Sequence, residues 1–173
     1  MPLLNSLATP YAEALLQITD ARSESDDVAS QCKELLALWS DSEVFRDAMT
    51  SPVLEPDAKK KALSSLLGES LKPSLMNLLK VLADRQRLVA FDAVLNRFLE
   101  LYRQSRQVSL AKVSTAQPLS EEQQAALTKK VQAMVGKGSI EMDLSVDPSL
   151  IGGFVVNLGS QVIDASLAGQ VRR

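Results

Sequence analysis

The chain has 173 residues and no histidine. Imidazole is the commonest general base and the commonest metal ligand, so its absence removes every catalytic triad built on it. The one cysteine, Cys32, allows neither an internal disulfide nor a thiolate zinc site. Chemistry would have to come from carboxylates or lysines, and no convergent cluster of them stands out. Gly136-Lys137-Gly138-Ser139 looks like a phosphate loop, but the order here is helix, glycines, strand. A P-loop needs Gly, four residues, then Gly-Lys-Ser/Thr between a strand and a helix, so a helix C-cap is the better reading. Lys59-Lys60-Lys61 reads as a solvated basic face, with an acidic partner as the alternative. Asp84, Arg85, Arg87 and Asp92 read as caps and surface pairs. Gly152-Gly153 falls inside an expected strand, where a bulge or tight packing would account for it. No catalytic residue, metal site or cofactor site is expected.

Composition points the same way. Hydrophobic residues make up 46% and the net charge is -2, which suits a globular chain and speaks against a basic nucleic-acid surface. No apolar run approaches the roughly 20 residues that cross a bilayer. The start, Met1-Pro2-Leu3-Leu4-Asn5-Ser6, has neither the basic flank of a secretory signal nor the arginines of a transit peptide. A cytoplasm-like compartment is expected, with membrane contact only through partners.

The elements fall into two halves. Residues 1–105 carry helical periodicity throughout. Leu4, Leu7, Tyr11, Leu15 and Ile18 recur at steps of three and four, the spacing of a core stripe. This first helix starts either at a Thr9 N-cap with Pro10 at N1, or earlier near Asn5 with a bend at Pro10. A second helix carries Val28, Cys32, Leu35, Leu36 and Trp39, and a third fits Asp41 to Met49 behind an acidic cap. A fourth, opened by Pro56, buries Ala62, Leu63, Leu66 and Leu67 and stops at Gly68. A fifth begins near Pro73 with Leu75, Leu78, Leu79 and Leu82, and a sixth carries Leu88, Phe91, Leu95, Phe98 and Tyr102. Six helices with short links predict a bundle.

The period changes after Gln107. Val108–Ala116 reads as a strand. Ser120 and Gln123 are spaced as a capping box for a helix that buries Leu127, Val131 and Met134. Ile140, Met142, Leu144 and Val146 then alternate with polar residues, and Asp147-Pro148-Ser149 makes a turn. Leu150–Leu158 reads as a strand that completes a β-hairpin with 140–146. Gln161–Asp164 reads as a further short strand, and Ala165–Arg173 as the start of a last helix. The fold class is therefore α+β: a six-helix bundle over 1–105 and a smaller α/β domain over 106–173.

The first and fifth helices have apolar residues beyond one stripe: Ala8, Ala12, Ala14 and Leu16 on the first, Val81 and Ala83 on the fifth. Either both are central and covered by neighbours, or together they form a groove for an amphipathic helix of a partner.

Residues 140–159, IEMDLSVDPSLIGGFVVNLG, resemble the signature segment of the delta (OSCP) family of F-type ATP synthase subunits. Ile140, Met142, Val146, Asp147, Leu150, Gly152, Gly153, Phe154, Val156, Asn157 and Gly159 fall where that pattern wants them. Pro10-Tyr11-Ala12-Glu13-Ala14-Leu15 is similar to the family's N-terminal segment, and Asn77–Asp84 with Arg87-Leu88 to its fifth helix. The DPSLIGGF wording resembles cyanobacterial and chloroplast members.

The resemblance implies a non-catalytic stator subunit that links the catalytic head to the peripheral stalk, so that rotor torque drives ATP synthesis coupled to proton transport. The bundle would bind the N-terminal helix of an alpha subunit between helices one and five. Carried over by position, Tyr11, Ala14, Asn77 and Val81 line that groove, with Leu7 and Leu78 beside them. The α/β domain would meet peripheral-stalk b-type subunits, in a multi-subunit complex on the cytoplasmic or stromal side of a thylakoid or bacterial inner membrane. Family members usually continue beyond Gly169–Arg173 with more of the last helix. Two other classes predict different features: a nucleic-acid adaptor would show a basic face and salt-dependent affinity, and a histidine-free enzyme would show a pocket with convergent carboxylates or lysines.

Overall fold

A computed structural model describes residues 2–136, 139–159 and 161–165. The expected last helix after Ala165 and the Lys137-Gly138 pair lie outside the described residues. The fold is α+β, with seven α-helices and a four-stranded sheet among the described residues. The chain divides into two compact units, Met1–Tyr102 and Arg103–Arg173.

The first unit is helical. It contains α1 (Pro2–Ala21), α2 (Ser25–Asp41), α3 (Glu43–Thr50), α4 (Pro56–Leu67) and α5 (Pro73–Asp84), then a 3-10 turn (Leu88–Ala90) leading into α6 (Phe91–Ser105), all but the last three residues of which fall in this unit. Proline at N1 opens both α4 and α5, where its missing N–H costs nothing. Ser42, not an acidic residue, caps α3 by accepting from the Phe45 amide at 3.2 Å. One core joins the helices, centred on Leu63, Leu75, Leu79, Leu82, Phe91, Leu95 and Phe98. Trp39 stacks on Phe91 with ring centroids 4.6 Å apart, and both meet Phe45 edge-on.

Of the two starts left open for the first helix, the earlier one forms: α1 begins at Pro2 and Pro10 lies inside it. Two expectations about buried residues are corrected. The buried stripe of α1 is Ala8, Ala12, Leu15 and Thr19. Leu4, Leu7 and Tyr11 are half-buried beside it, and Ile18 is 47% exposed. Ala8, Ala12 and Thr19 on the inner stripe let α1 approach its neighbours closely, with Leu15 filling the core and Leu4, Leu7 and Tyr11 packing at its flanks. On α4, Leu66 is 65% exposed while Lys59 is buried one turn before Leu63. The long methylene stem of lysine serves as core surface there.

The second unit holds β1 (Val108–Thr115), α7 (Glu121–Val135), β2 (Ser139–Val146), β3 (Phe154–Leu158) and β4 (Gln161–Asp164), in sheet order β2-β1-β3-β4. The capping box of α7 forms in both directions, Gln123 N–H to Ser120 Oγ at 3.3 Å and Ser120 N–H to Gln123 Oε1 at 3.0 Å. Leu127 and Val131 of α7 cover Ala111, Val113 and Val156 of the sheet, but Met134 is 50% exposed.

The expected hairpin of 140–146 with 150–158 does not form. β1 lies between those strands, parallel to β2 and antiparallel to β3. Ala111 and Val113 make β1 the most buried strand, and burial places it centrally. The segment after Val146 must therefore cross two strand spacings, about 10 Å. The hairpin that exists is β3–β4. Gly152 and Gly153 belong to the crossing segment, with φ +87° and +74°, and not to a strand. They supply left-handed backbone where a side chain would be strained.

Candidate functional site

Two sets of polar contacts fix α1 against α5. At the C-terminal end of α1, Arg22 Nη1 donates to Ser74 Oγ at 3.3 Å, and that hydroxyl donates to Glu24 Oε2 at 3.2 Å. Ser25 Oγ, buried in the turn, donates to Thr19 Oγ1 at 3.0 Å and also reaches the Asp20 carboxylate. Further along, Arg87 Nη1 donates to the Tyr11 hydroxyl oxygen at 2.8 Å. The Arg87 guanidinium carbon stands 5.9 Å from the Tyr11 ring centroid. Ser74 begins α5 and Arg87 follows its end, so these contacts make the two helices antiparallel.

The chain turns back at the end of α5 through Gln86, a non-glycine residue at φ +54°. Gln86 N–H bonds Ala83 O at 3.0 Å and Arg87 N–H bonds Leu82 O at 2.7 Å. A left-handed residue after a helix satisfies its last carbonyls and reverses the chain. Here the reversal delivers Arg87 to α1.

The sequence-predicted groove residues divide by exposure. Ala14 and Asn77 are exposed, Val81 is 44% exposed, and Leu7, Tyr11 and Leu78 are half-buried. Leu7, Tyr11, Ala14 and Ile18 follow one another at steps of four, three and four, so they share one face of α1. Asn77 and Val81 share a face of α5. The inner side of each helix is core: Ala8, Ala12 and Leu15 on α1, Leu75, Leu79 and Leu82 on α5. Sequence reasoning misses two residues: Ile18, expected in the core, and Arg87, expected as part of a surface pair. The helical steps from Tyr11 to Ala14 to Ile18 place Ile18 on the outer face, a signal that the sequence carries. Nothing in the sequence pairs Arg87 with a tyrosine 76 positions away.

The other candidates have structural explanations. Lys60 is held between Asp57 at 3.2 Å and Asp84 at 2.7 Å. Hydrogen bonds to Asp84 and then Asp57 raise its pKa above the ordinary lysine value. The Asp92 carboxylate accepts from the Ala93 amide at 2.9 Å. Cys32 is buried, and desolvation pushes its thiol up to about 12.

Of the signature residues, Asp147 accepts from both the Ser149 amide at 3.0 Å and the Ser149 hydroxyl at 2.6 Å. Those bonds hold its carboxyl below the usual range. Asp147 N–H bonds Thr115 O at 2.8 Å, which pins the crossing segment to the end of β1. Val146 closes β2. Asn157 lies in β3 opposite Lys112 of β1, and Gly159, at φ +67°, follows β3. Leu150, Gly152 and Gly153 line a cleft of about 480 Å³ with Thr115 and Gln123.

Among the described residues there is no group of His, Cys, Asp or Glu able to hold a metal ion, and no helix long and apolar enough to cross a membrane.

Comparison with known proteins accounts for both halves of the chain. The family described as ATP synthase delta (OSCP) subunit matches residues 7–173. ATP synthase subunit delta of Synechococcus sp. strain WH7803 is 75% identical over 173 residues, covering all of this chain and 95% of that protein. ATP synthase subunit delta of the organellar chromatophore of Paulinella chromatophora is 61% identical over the same span, again covering 95% of that protein. A chain of the Toxoplasma gondii mitochondrial ATP synthase hexamer, solved by cryo-electron microscopy, has a TM-score of 0.75 at 25% identity, covering 96% of this chain and 94% of that one. With the family match, the full-length relatives and the fold in agreement, this chain belongs to the ATP synthase delta (OSCP) subunit family.

Proposed function

We propose that this chain is a non-catalytic stator subunit of an F-type ATP synthase. Its six helices act as a bundle that grips the catalytic head, and its α/β unit meets peripheral-stalk b-type subunits. Held at both ends, it keeps the head from turning with the central rotor, so that torque is spent on ATP synthesis coupled to proton transport. The cyanobacterial relatives support a thylakoid or bacterial inner membrane, which the chain would reach through its partners.

The observation that carries the proposal is the exposed face of the α1–α5 pair. Tyr11, Ala14, Asn77 and Val81, with Leu7 and Leu78 beside them, offer apolar area flanked by one aromatic hydroxyl. An amphipathic helix laid between two helices buries side chains spaced i, i+3, i+4 and i+7. A half-buried tyrosine is the residue type that anchors small interfaces. The occupant proposed is the N-terminal helix of an alpha subunit.

Titrating a synthetic alpha-subunit N-terminal peptide into the protein should give saturable 1:1 binding by calorimetry. Absence of binding by a folded protein would refute the groove assignment.

A further inference from the structure

We propose that Arg87 is a positioning residue of the α1–α5 groove. It holds the Tyr11 ring in place and leaves the hydroxyl as a proton donor, so the groove selects a partner helix with a hydrogen-bond acceptor, a carboxylate ahead of an amide, opposite Tyr11. This deepens the groove assignment above and rests on it.

A phenol has one proton to donate and lone pairs to accept with. Arg87 Nη1 occupies a lone pair at 2.8 Å. A guanidinium has no acceptor, so it cannot also receive the tyrosine proton. Among the described residues, no acceptor takes that proton and no carboxylate pairs with Arg87. The groove therefore presents a free O–H beside an unneutralised positive charge. Both favour an anionic acceptor, because hydrogen bonds to ionised groups are the stronger kind.

The arrangement is set before any partner arrives. The Gln86 reversal and the Arg87 N–H to Leu82 O bond at 2.7 Å fix where the arginine leaves the backbone. Its guanidinium then restrains the tyrosine both through the hydroxyl and over the ring, 5.9 Å from the centroid. A side chain already held in its bound orientation loses less freedom on binding. Arg87 need not touch the partner to matter.

The test is a double-mutant cycle by calorimetry, with the alpha-subunit N-terminal peptide as probe. The proteins are wild type, R87A, R87K, R87Q, Y11F and Y11F/R87A, each checked for folding by circular dichroism. R87A should weaken binding about tenfold, or about 1.4 kcal/mol. In the Y11F background the same change should cost less than threefold, because Arg87 acts through the hydroxyl. Converting one particular carboxylate of the peptide to its amide should weaken binding to wild type and leave binding to R87A unaltered. Should R87A not fold, R87Q and R87K carry the same comparison. Binding by the arginine variants equal to wild type overturns the proposal, and so does a loss of equal size in the Y11F background. A wild-type protein that does not bind the peptide overturns the groove itself, a result distinct from either.

Discussion

Replacing Val81 by aspartate tests whether the α1–α5 face serves a partner or the core. Val81 is 44% exposed in the unit as it stands. Full burial of a valine side chain is worth about 1.5–3 kcal/mol, so covering the remaining exposed part contributes about 0.7–1.3 kcal/mol to binding. An aspartate forfeits that and also places an unpaired carboxylate under the partner, which costs about 1–3 kcal/mol more. The summed loss, about 2–4 kcal/mol, lowers affinity about 30-fold or more. The fold should barely register the change. Valine and aspartate have similar helix propensity. The unfavourable position of a negative charge near the C-terminus of α5 is offset by Arg85 four residues on. Exposed substitutions usually stay within about 0.5 kcal/mol, or less than about 4 °C in melting temperature. Leu79, on the opposite side of the same helix and fully buried, supplies the contrast. Leu79→Ala should cost about 2–5 kcal/mol of stability. The assays are peptide calorimetry and thermal melting by circular dichroism. If Val81→Asp melts like Leu79→Ala, Val81 is core; if it binds like wild type, the groove lies elsewhere.

Three further outcomes follow from the geometry. Cys32 should resist iodoacetamide in the native protein at pH 8 and react at once in urea, as counted by mass spectrometry, since only the thiolate attacks and burial disfavours it. Its raised folded pKa means the buried thiol contributes stability fully below the unfolded value, lost as pH climbs from about 9 toward 12. The Asp147 carboxyl should titrate below an ordinary aspartate when followed by NMR, and Ser149→Ala should move it back up; because its pKa is lowered on folding, its contribution is present at neutral pH and lost as pH falls through the folded value. Ser120→Ala should remove one half of the capping box of α7 and cost about 1 kcal/mol, read as a lower urea midpoint at unchanged slope.

What could be read from the sequence depended on how local the deciding interaction is. The capping box is a contact across three residues and forms as the spacing says. Pro56 and Pro73 open helices because the amide that proline lacks has no helical partner in the first turn. Pro10 misleads because the same residue type is also tolerated inside a helix that continues on both sides. Its neighbour Thr9 turns inward along the chain, donating to Asn5 O at 2.9 Å instead of capping. Strand pairing is harder still. Alternation identifies β2 and assigns its faces, but says nothing of which strand lies beside it. The partner was settled by the burial of Ala111 and Val113, a property of the whole sheet.

The site separates along the same line. Tyr11, Ala14, Asn77 and Val81 sit on two helices whose pairing is non-local, and only the family resemblance proposes them as one groove. Arg87 meets Tyr11 through geometry that no short pattern encodes. Arg87 gets there only because Gln86 takes a left-handed backbone, a conformation that a glycine would have advertised and a glutamine conceals. Ile18 reaches the surface because Ala8, Ala12 and Thr19 take the inner side of α1. The core of this helix is built from Ala8, Ala12, Leu15 and Thr19, while Leu7, Tyr11 and Ile18 keep apolar area toward the outside. A free helix end gains nothing from that arrangement. A helix whose outer face has a partner to receive gains close packing on one side and apolar area on the other.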